Sequence, residues 1–97
     1  MNLKPQIRQD IIALAQKNHI QKVILFGSRA RGDNGARSDI DLAVTGGNVR
    51  DFRLDIDDEV RTLLLFDVVD LDGSVQKELL DVINQEGITL YEEGGAF

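Results

Sequence analysis

Between Phe26 and Val44 the chain carries Gly27-Ser28, then ten residues, then Asp39-x-Asp41. Alternate residues of a strand share a face, so the two carboxylates project together while Ile40, Leu42 and Val44 project the other way, toward a core. Neighbouring carboxylates raise each other's pKa unless a cation lies between them. A hard divalent ion meets that need, and Mg²⁺ keeps several waters and takes its remaining ligands from phosphate oxygens. Asp39 and Asp41 therefore suit a metal–triphosphate complex. Gly27 permits a tight turn and close backbone approach. Exposed N–H groups there, with the Ser28 hydroxyl, can donate to phosphate oxygens. Arg29 and Arg31 follow and can neutralise phosphate charge. Ser38, just before the acids, shapes the loop or touches a phosphate.

Those side chains need elements to hold them. Val23-Ile24-Leu25-Phe26, wholly apolar and ended by Gly27, reads as a buried central strand. Gly27 to Arg37 reads as loop with a helical turn after Ser28, and Asp39 to Val44 as the next strand. Upstream, Leu3, Ile7, Ile11 and Leu14 predict a helix over about Lys4 to Asn18, with Pro5 in its first turn. Downstream, Gly46-Gly47-Asn48 ends the strand, and Val49, Phe52, Ile56, Val60 and Leu63 form the apolar stripe of a second helix. A further apolar strand is expected from Leu64 to Leu71. Ser74 is a plausible N-cap for a third helix marked by Val75, Leu79, Val82 and Ile83 and stopped near Gly87. Ile88 to Tyr91 forms a last short strand, and the Gly94-Gly95 tail is expected to fray. This order predicts an α/β (α+β) sandwich, a mixed β-sheet with helices packed against it.

Bulk properties narrow the field. With 97 residues the chain is one domain, spanning residues 1–97. It has no cysteine, which excludes disulfides and thiolate metal sites. No apolar run approaches the roughly 20 residues of a membrane span, and the start lacks a signal-peptide core, so a cytoplasmic, membrane-free protein is expected. A net charge of −6 argues against direct nucleic-acid binding, yet Arg29, Arg31 and Arg37 form one basic cluster that fits a short phosphate chain.

Rival motifs fail on position. An EF-hand loop starting at Asp39 would need ligands at Ala43 and Arg50, and no Gly-Lys-Ser/Thr follows the first strand as a P-loop requires. Asp55, Asp57, Asp58 and Glu59 read as the wet face of a helix. His19 and Tyr91 carry no feature that sets them apart from structural or surface residues.

GSRARG followed by SDIDLAV resembles the signature of the DNA polymerase β-type nucleotidyltransferases. Within that superfamily the chain is similar to the minimal nucleotidyltransferases, antitoxin partners of HEPN-domain toxins. The resemblance implies a polymerase β-like fold and a third carboxylate on a later strand, matched here by Asp67. Asp70 falls on the opposite strand face and Asp72 in a turn. An acid inside an apolar run is costly to bury alone, which also marks Asp67 as needing a partner. The implied chemistry is two-metal transfer: Asp39, Asp41 and Asp67 hold Mg²⁺, ATP is the nucleotide donor, and Gly27, Ser28, Arg29, Arg31 and Ser38 seat it. The implied acceptor is a tyrosine of a HEPN toxin partner. Two other readings stand beside this one. A non-catalytic, nucleotide-binding antitoxin could neutralise its partner by contact, and a transferase could act on a small molecule.

Overall fold

The computed structural model describes residues 1–94; the expected fraying of the Gly-Gly tail lies, from Gly95 onward, outside the described residues. The elements are α1 (Pro5–Lys17), β1 (Lys22–Phe26), α2 (Ser28–Arg31), β2 (Ile40–Thr45), α3 (Val49–Glu59), β3 (Phe66–Asp70), α4 (Lys77–Glu86) and β4 (Ile88–Glu92). Four strands form one mixed sheet in the order β3-β2-β1-β4. β1 runs antiparallel to both β2 and β4, whereas β2 and β3 are parallel. The parallel pair requires a crossover, which α3 supplies.

Strand alternation sorts the core onto two sheet faces. Val23, Leu25, Ile40, Leu42, Val44 and Leu90 lie with the buried stripe of α1 (Ile7, Ile11, Leu14) and of α3 (Phe52, Ile56). The opposite face carries Phe26 and Ala43 against Ile83 of α4, with Ile24, Val69, Leu71 and Leu79 around them. Burying side chains such as Leu25, Leu42 and Phe52 completely stabilises the fold by roughly 1.5–3 kcal/mol each. The smaller face leaves part of the sheet uncovered, and Asp41 of β2 and Asp67 of β3 share the strand parity of that side, whereas Asp70 has the parity of the larger core.

Helix ends follow local chemistry, with two departures from expectation. Pro5 opens α1, and the Asn48 side chain accepts from Asp51 N to cap α3. Ser74 does not cap α4. That helix starts at Lys77 after an extended Gln76, without a side-chain cap, and Val75 is half-buried ahead of it. Nor does Leu63 extend the α3 stripe. Val60 leaves the helix with an extended backbone (φ −79, ψ 120), so the chain crosses to the sheet edge and Leu63 and Leu65 face solvent. β3 accordingly starts at Phe66 rather than Leu64. His19 is exposed and bends the chain between α1 and β1 with a left-handed φ of 58. Tyr91 is half-buried against the larger core.

The acidic face of α3 is only partly a solvated face. Asp57, Asp58 and Glu59 are exposed, but Asp55 accepts from Asn18 Nδ2 at 2.9 Å and pairs with Lys17 at 3.2 Å, tying α3 to the end of α1. The Asn18 hydrogen bond, aided by Lys17, holds the Asp55 carboxyl below its ordinary pKa. A carboxyl lowered by folding contributes stability above its unfolded pKa and loses it as pH falls through the folded value. Asp55→Asn is therefore expected to lower stability near neutrality, with the gap from wild type closing on acidification. Urea unfolding from about pH 7 to about pH 3 measures this, and a gap independent of pH contradicts it.

Candidate active site

The carboxylates meet at one end of the less covered sheet face. In the parallel β2–β3 ladder Asp41 and Asp67 are direct register partners, and in the β1–β2 ladder Asp41 lies opposite Phe26. Phe26, Asp41 and Asp67 thus form a row across three strands, on the face that carries α4. Asp39 just precedes β2, two residues from Asp41, and is exposed. The sequence expectation of three aspartates on adjoining strands matches this layout. One part of it does not: Asp67 is exposed because β3 is an edge strand, so no burial cost attaches to it. Asp41 is half-buried, and burial first, then Asp67, Asp39 and Glu86, push its carboxyl above the ordinary range, while Arg31 pulls it back.

Gly27 closes this row from the β1 side. Its backbone (φ 77, ψ −160) belongs to a region open essentially to glycine alone, and a Cβ there would overlap Asp41 Oδ2. The turn after β1 can therefore lie directly on the Asp41 carboxylate only because residue 27 has no side chain. α2 then occupies four residues, Ser28 to Arg31, before Gly32 ends it in a left-handed conformation. So short a helix has little macrodipole, and any anion binding here rests on individual N–H groups and side chains.

The two arginines of this segment part ways. Arg29 is buried, and its guanidinium donates to the carbonyls of Ser38 (3.0 Å), Asn2 (3.2 Å) and Ala36 (3.4 Å). Arg29 is expected from the sequence to seat phosphate; here its bonded donors face the backbone of Asn2 and of the loop that leads to Asp39. Arg31 is partly exposed on the site side. Its Nε donates to Asp33 at 3.0 Å, and Nη1 donates to both oxygens of Glu86 at 3.0 and 2.8 Å. Glu86, followed by Asp33, raises the Arg31 pKa, so the side chain is a permanent cation. Ser38 Oγ accepts from Gly35 N at 2.9 Å, the loop-shaping alternative of its two readings.

Glu86 itself was not visible in the sequence. Its Oε1 also accepts from Gly27 N at 2.9 Å, across 59 residues of chain. An acid ending an amphipathic helix looks like any solvated helix end. Gly87 makes the approach possible, since a Cβ there would strike Ile83 O and stand 2.6 Å from Ile24 Cγ2, so α4 can end tightly against β1.

Asp72 lies in the turn after β3, accepting from Thr45 Oγ1 and Gly46 N at 2.6 Å each, and these bonds hold its carboxyl below the ordinary pKa. It locks a turn at the far end of β2, away from Asp41. A groove of about 810 Å³ lies beyond the Arg29 loop, lined among others by Asn2, Lys4, Asn34, Arg61 and Leu64; none of the three aspartates lines it. Asp39 and Asp67 are exposed and Asp41 half-buried, so the acidic row is open to solvent.

The donor set fits Mg²⁺. The candidate ligands are carboxylate oxygens, and the repulsion that Asp67 and Asp39 exert on Asp41 is what a cation would relieve. Among the described residues no three acidic or histidine side chains form a ready cage. Mg²⁺ does not need one, because it is commonly held by one or two carboxylates together with substrate phosphates and water. Among the described residues no helix is long and apolar enough to cross a membrane.

Similarity to known proteins agrees with this fold. A protein of Methanocaldococcus jannaschii named "Putative protein adenylyltransferase MJ0604" is 41% identical over 58 residues, a segment covering 58% of this chain and 58% of that relative's length. A crystal structure described as a toxin-antitoxin with AMP-PNP superposes with a TM-score of 0.71 at 27% identity, covering 90% of this chain and 74% of that one. A second, of the toxin-antitoxin MntA-HepT, gives a TM-score of 0.68 at 24% identity over 92% of this chain and 73% of that one, a likeness of fold. The family model "Polymerase beta, Nucleotidyltransferase" matches residues 9–94, which contain every strand of the sheet and all three aspartates. The chain belongs to the polymerase beta nucleotidyltransferase family.

Proposed function

We propose that this chain is an Mg²⁺-dependent nucleotidyltransferase that moves AMP from ATP to a hydroxyl of a protein partner, a tyrosine of a HEPN-type toxin, and so serves as its antitoxin. The observation that carries this reading is the register pairing of Asp41 with Asp67 beside the Gly27 turn. It is supported by family membership and by two likenesses: a relative named as a protein adenylyltransferase, and a toxin–antitoxin structure with AMP-PNP.

In this reading Asp39 and Asp41 hold Mg²⁺ against the triphosphate, and Asp67 adds its carboxylate on the acceptor side. Bound there, Mg²⁺ would stabilise charge on the entering and leaving oxygens of an in-line displacement. The Gly27 N–H and Ser28 seat the β and γ phosphates, with Arg31 as the nearby cation. Arg29 keeps the Asp39 loop in place from beneath. Asp67 favours loss of the acceptor's hydroxyl proton. The acceptor oxygen bonds the α-phosphorus as its bond to the leaving pyrophosphate breaks, so AMP ends on the acceptor. The open site suits a protein acceptor, because a tyrosine on another chain can approach the exposed edge strand β3 that bears Asp67.

The test is label transfer. The chain is incubated with α-labelled ATP, Mg²⁺ and the product of the neighbouring gene. Label on a tyrosine of that product, together with loss of the product's ribonuclease activity, is the expected result. No transfer from folded protein, with the partner's activity unchanged, overturns the reading.

A further inference from the structure

The anion already present in this site belongs to the protein. One carboxylate, Glu86, accepts the Gly27 backbone N–H and receives both contacts from Arg31 Nη1, at 2.8 to 3.0 Å. These are the donors that the function proposed above assigns to a triphosphate. The Glu86 side chain is the less exposed partner, at 19% against 46% for Arg31, so the pair is sheltered on the glutamate side. Glu86 also adds negative charge beside Asp41. Glu86 is the last residue of α4, and the side-chain bonds it makes are these to Gly27 and Arg31.

We propose that Glu86 is an internal stand-in for a phosphate group: it holds Arg31 and the Gly27 N–H, and a nucleoside triphosphate must displace it to bind. The proposal rests on the nucleotide-binding reading above and specifies how that site is kept closed. A carboxylate and a triphosphate cannot share these donors, because both are anions and Asp41 lies directly against Gly27. Binding is then an exchange of one anion for another. Only molecules with the fully open seat bind without this competition, so the latch lowers apparent affinity by the fraction it holds closed. It also explains why Arg31, the cation of the segment, is held in a defined direction before any ligand arrives. A permanent clamp would leave Glu86 in place in the complex, and this is where the two accounts part.

Glu86→Gln tests the exchange. Glutamine keeps an acceptor for Gly27 but removes the charge that binds Arg31 and opposes phosphate. Calorimetric titration with Mg·ATP and, separately, with Mg·triphosphate should give affinities roughly two- to fivefold tighter than wild type for both, the range set by losing one partly exposed ion pair. Triphosphate has no base or ribose, so equal tightening locates the effect at the phosphate seat. Unchanged or weaker binding by folded Glu86→Gln overturns the proposal and makes Glu86 a buttress for Arg31. A second measurement uses the wild type alone. With ¹³C-labelled glutamate, the Glu86 carboxyl resonance should move toward that of a free carboxylate as Mg·triphosphate is added, and the Gly27 amide should shift with it. Binding of triphosphate without movement of the Glu86 resonance also overturns the proposal. Failure of wild type to bind either ligand sinks the nucleotide reading itself, and the latch with it.

Discussion

Asp39→Asn/Asp41→Asn is expected to lower nucleotide transfer by on the order of 10³-fold or more, because removing the carboxylates proposed to hold a Lewis-acidic ion would forfeit several kcal/mol of transition-state stabilisation. Folding should not suffer. Asp41 sits half-buried, and its carboxyl is pushed above the ordinary range by burial and by Asp67, Asp39 and Glu86. A carboxyl raised by folding weighs against the folded state once pH exceeds both the unfolded and folded values. At neutral pH without metal, neutralising Asp41 should therefore raise the urea midpoint, and the gain should fade as pH falls into the range where Asp41 protonates. Inactivity with raised or unchanged stability is the expected pair of results. Substantial label transfer by the folded double variant would remove these aspartates from the chemistry. The same variant separates enzyme from contact antitoxin: neutralisation of the partner persists only if contact suffices.

Gly27→Ala is the second large effect, and it should strike fold and function together. The backbone at residue 27 is one that L-residues essentially avoid, and the new methyl would overlap Asp41 Oδ2. The strain and the overlap together should cost about 2–4 kcal/mol of stability. Relief requires the turn to lift from β2 or the Asp41 side chain to swing away. Either movement would displace the proposed phosphate seat from the aspartates by up to about 1 Å. Misplacement on that scale reduces rates by roughly a hundredfold. Urea unfolding and label transfer on the same preparation measure both. A stable, active Gly27→Ala protein would show that the turn does not need to lie against Asp41.

These two substitutions act on opposite sides of one contact, and their stability effects have opposite signs. That contrast is characteristic of a site assembled against its own folding preference: like charges are gathered, Glu86 among them, a backbone position is reserved for glycine, and Arg31 offsets part of the imbalance. The larger core can carry that burden. Most of its members, including Ile11, Leu25, Ile40, Leu42 and Phe52, lie on the sheet face away from the aspartates.

Local pattern determined much of this protein. The apolar run at β1, the alternation through β2, the helical spacing of α1 and α3, and the pairing of Asp39 with Asp41 all follow from residue periodicity, because neighbours in sequence decide which way a side chain points. The motif spacing led to the right family. Local pattern misjudged positions where the chain changes direction. Leu63 and Leu65 continue an apolar rhythm yet face water, since Val60 had already left the helix, and Ser74 precedes α4 by too much to cap it. Only the tertiary structure decided what each charged group faces. Arg29 and Arg31 are two residues apart and chemically alike, yet one is buried among loop carbonyls and the other reaches α4. Asp67 was expected to be buried and is exposed, because its strand lies at the sheet edge. Glu86 meets Gly27 only because α4 folds back over β1. Electrostatic partners are set by distance in space, and a linear pattern carries that distance only within a single element.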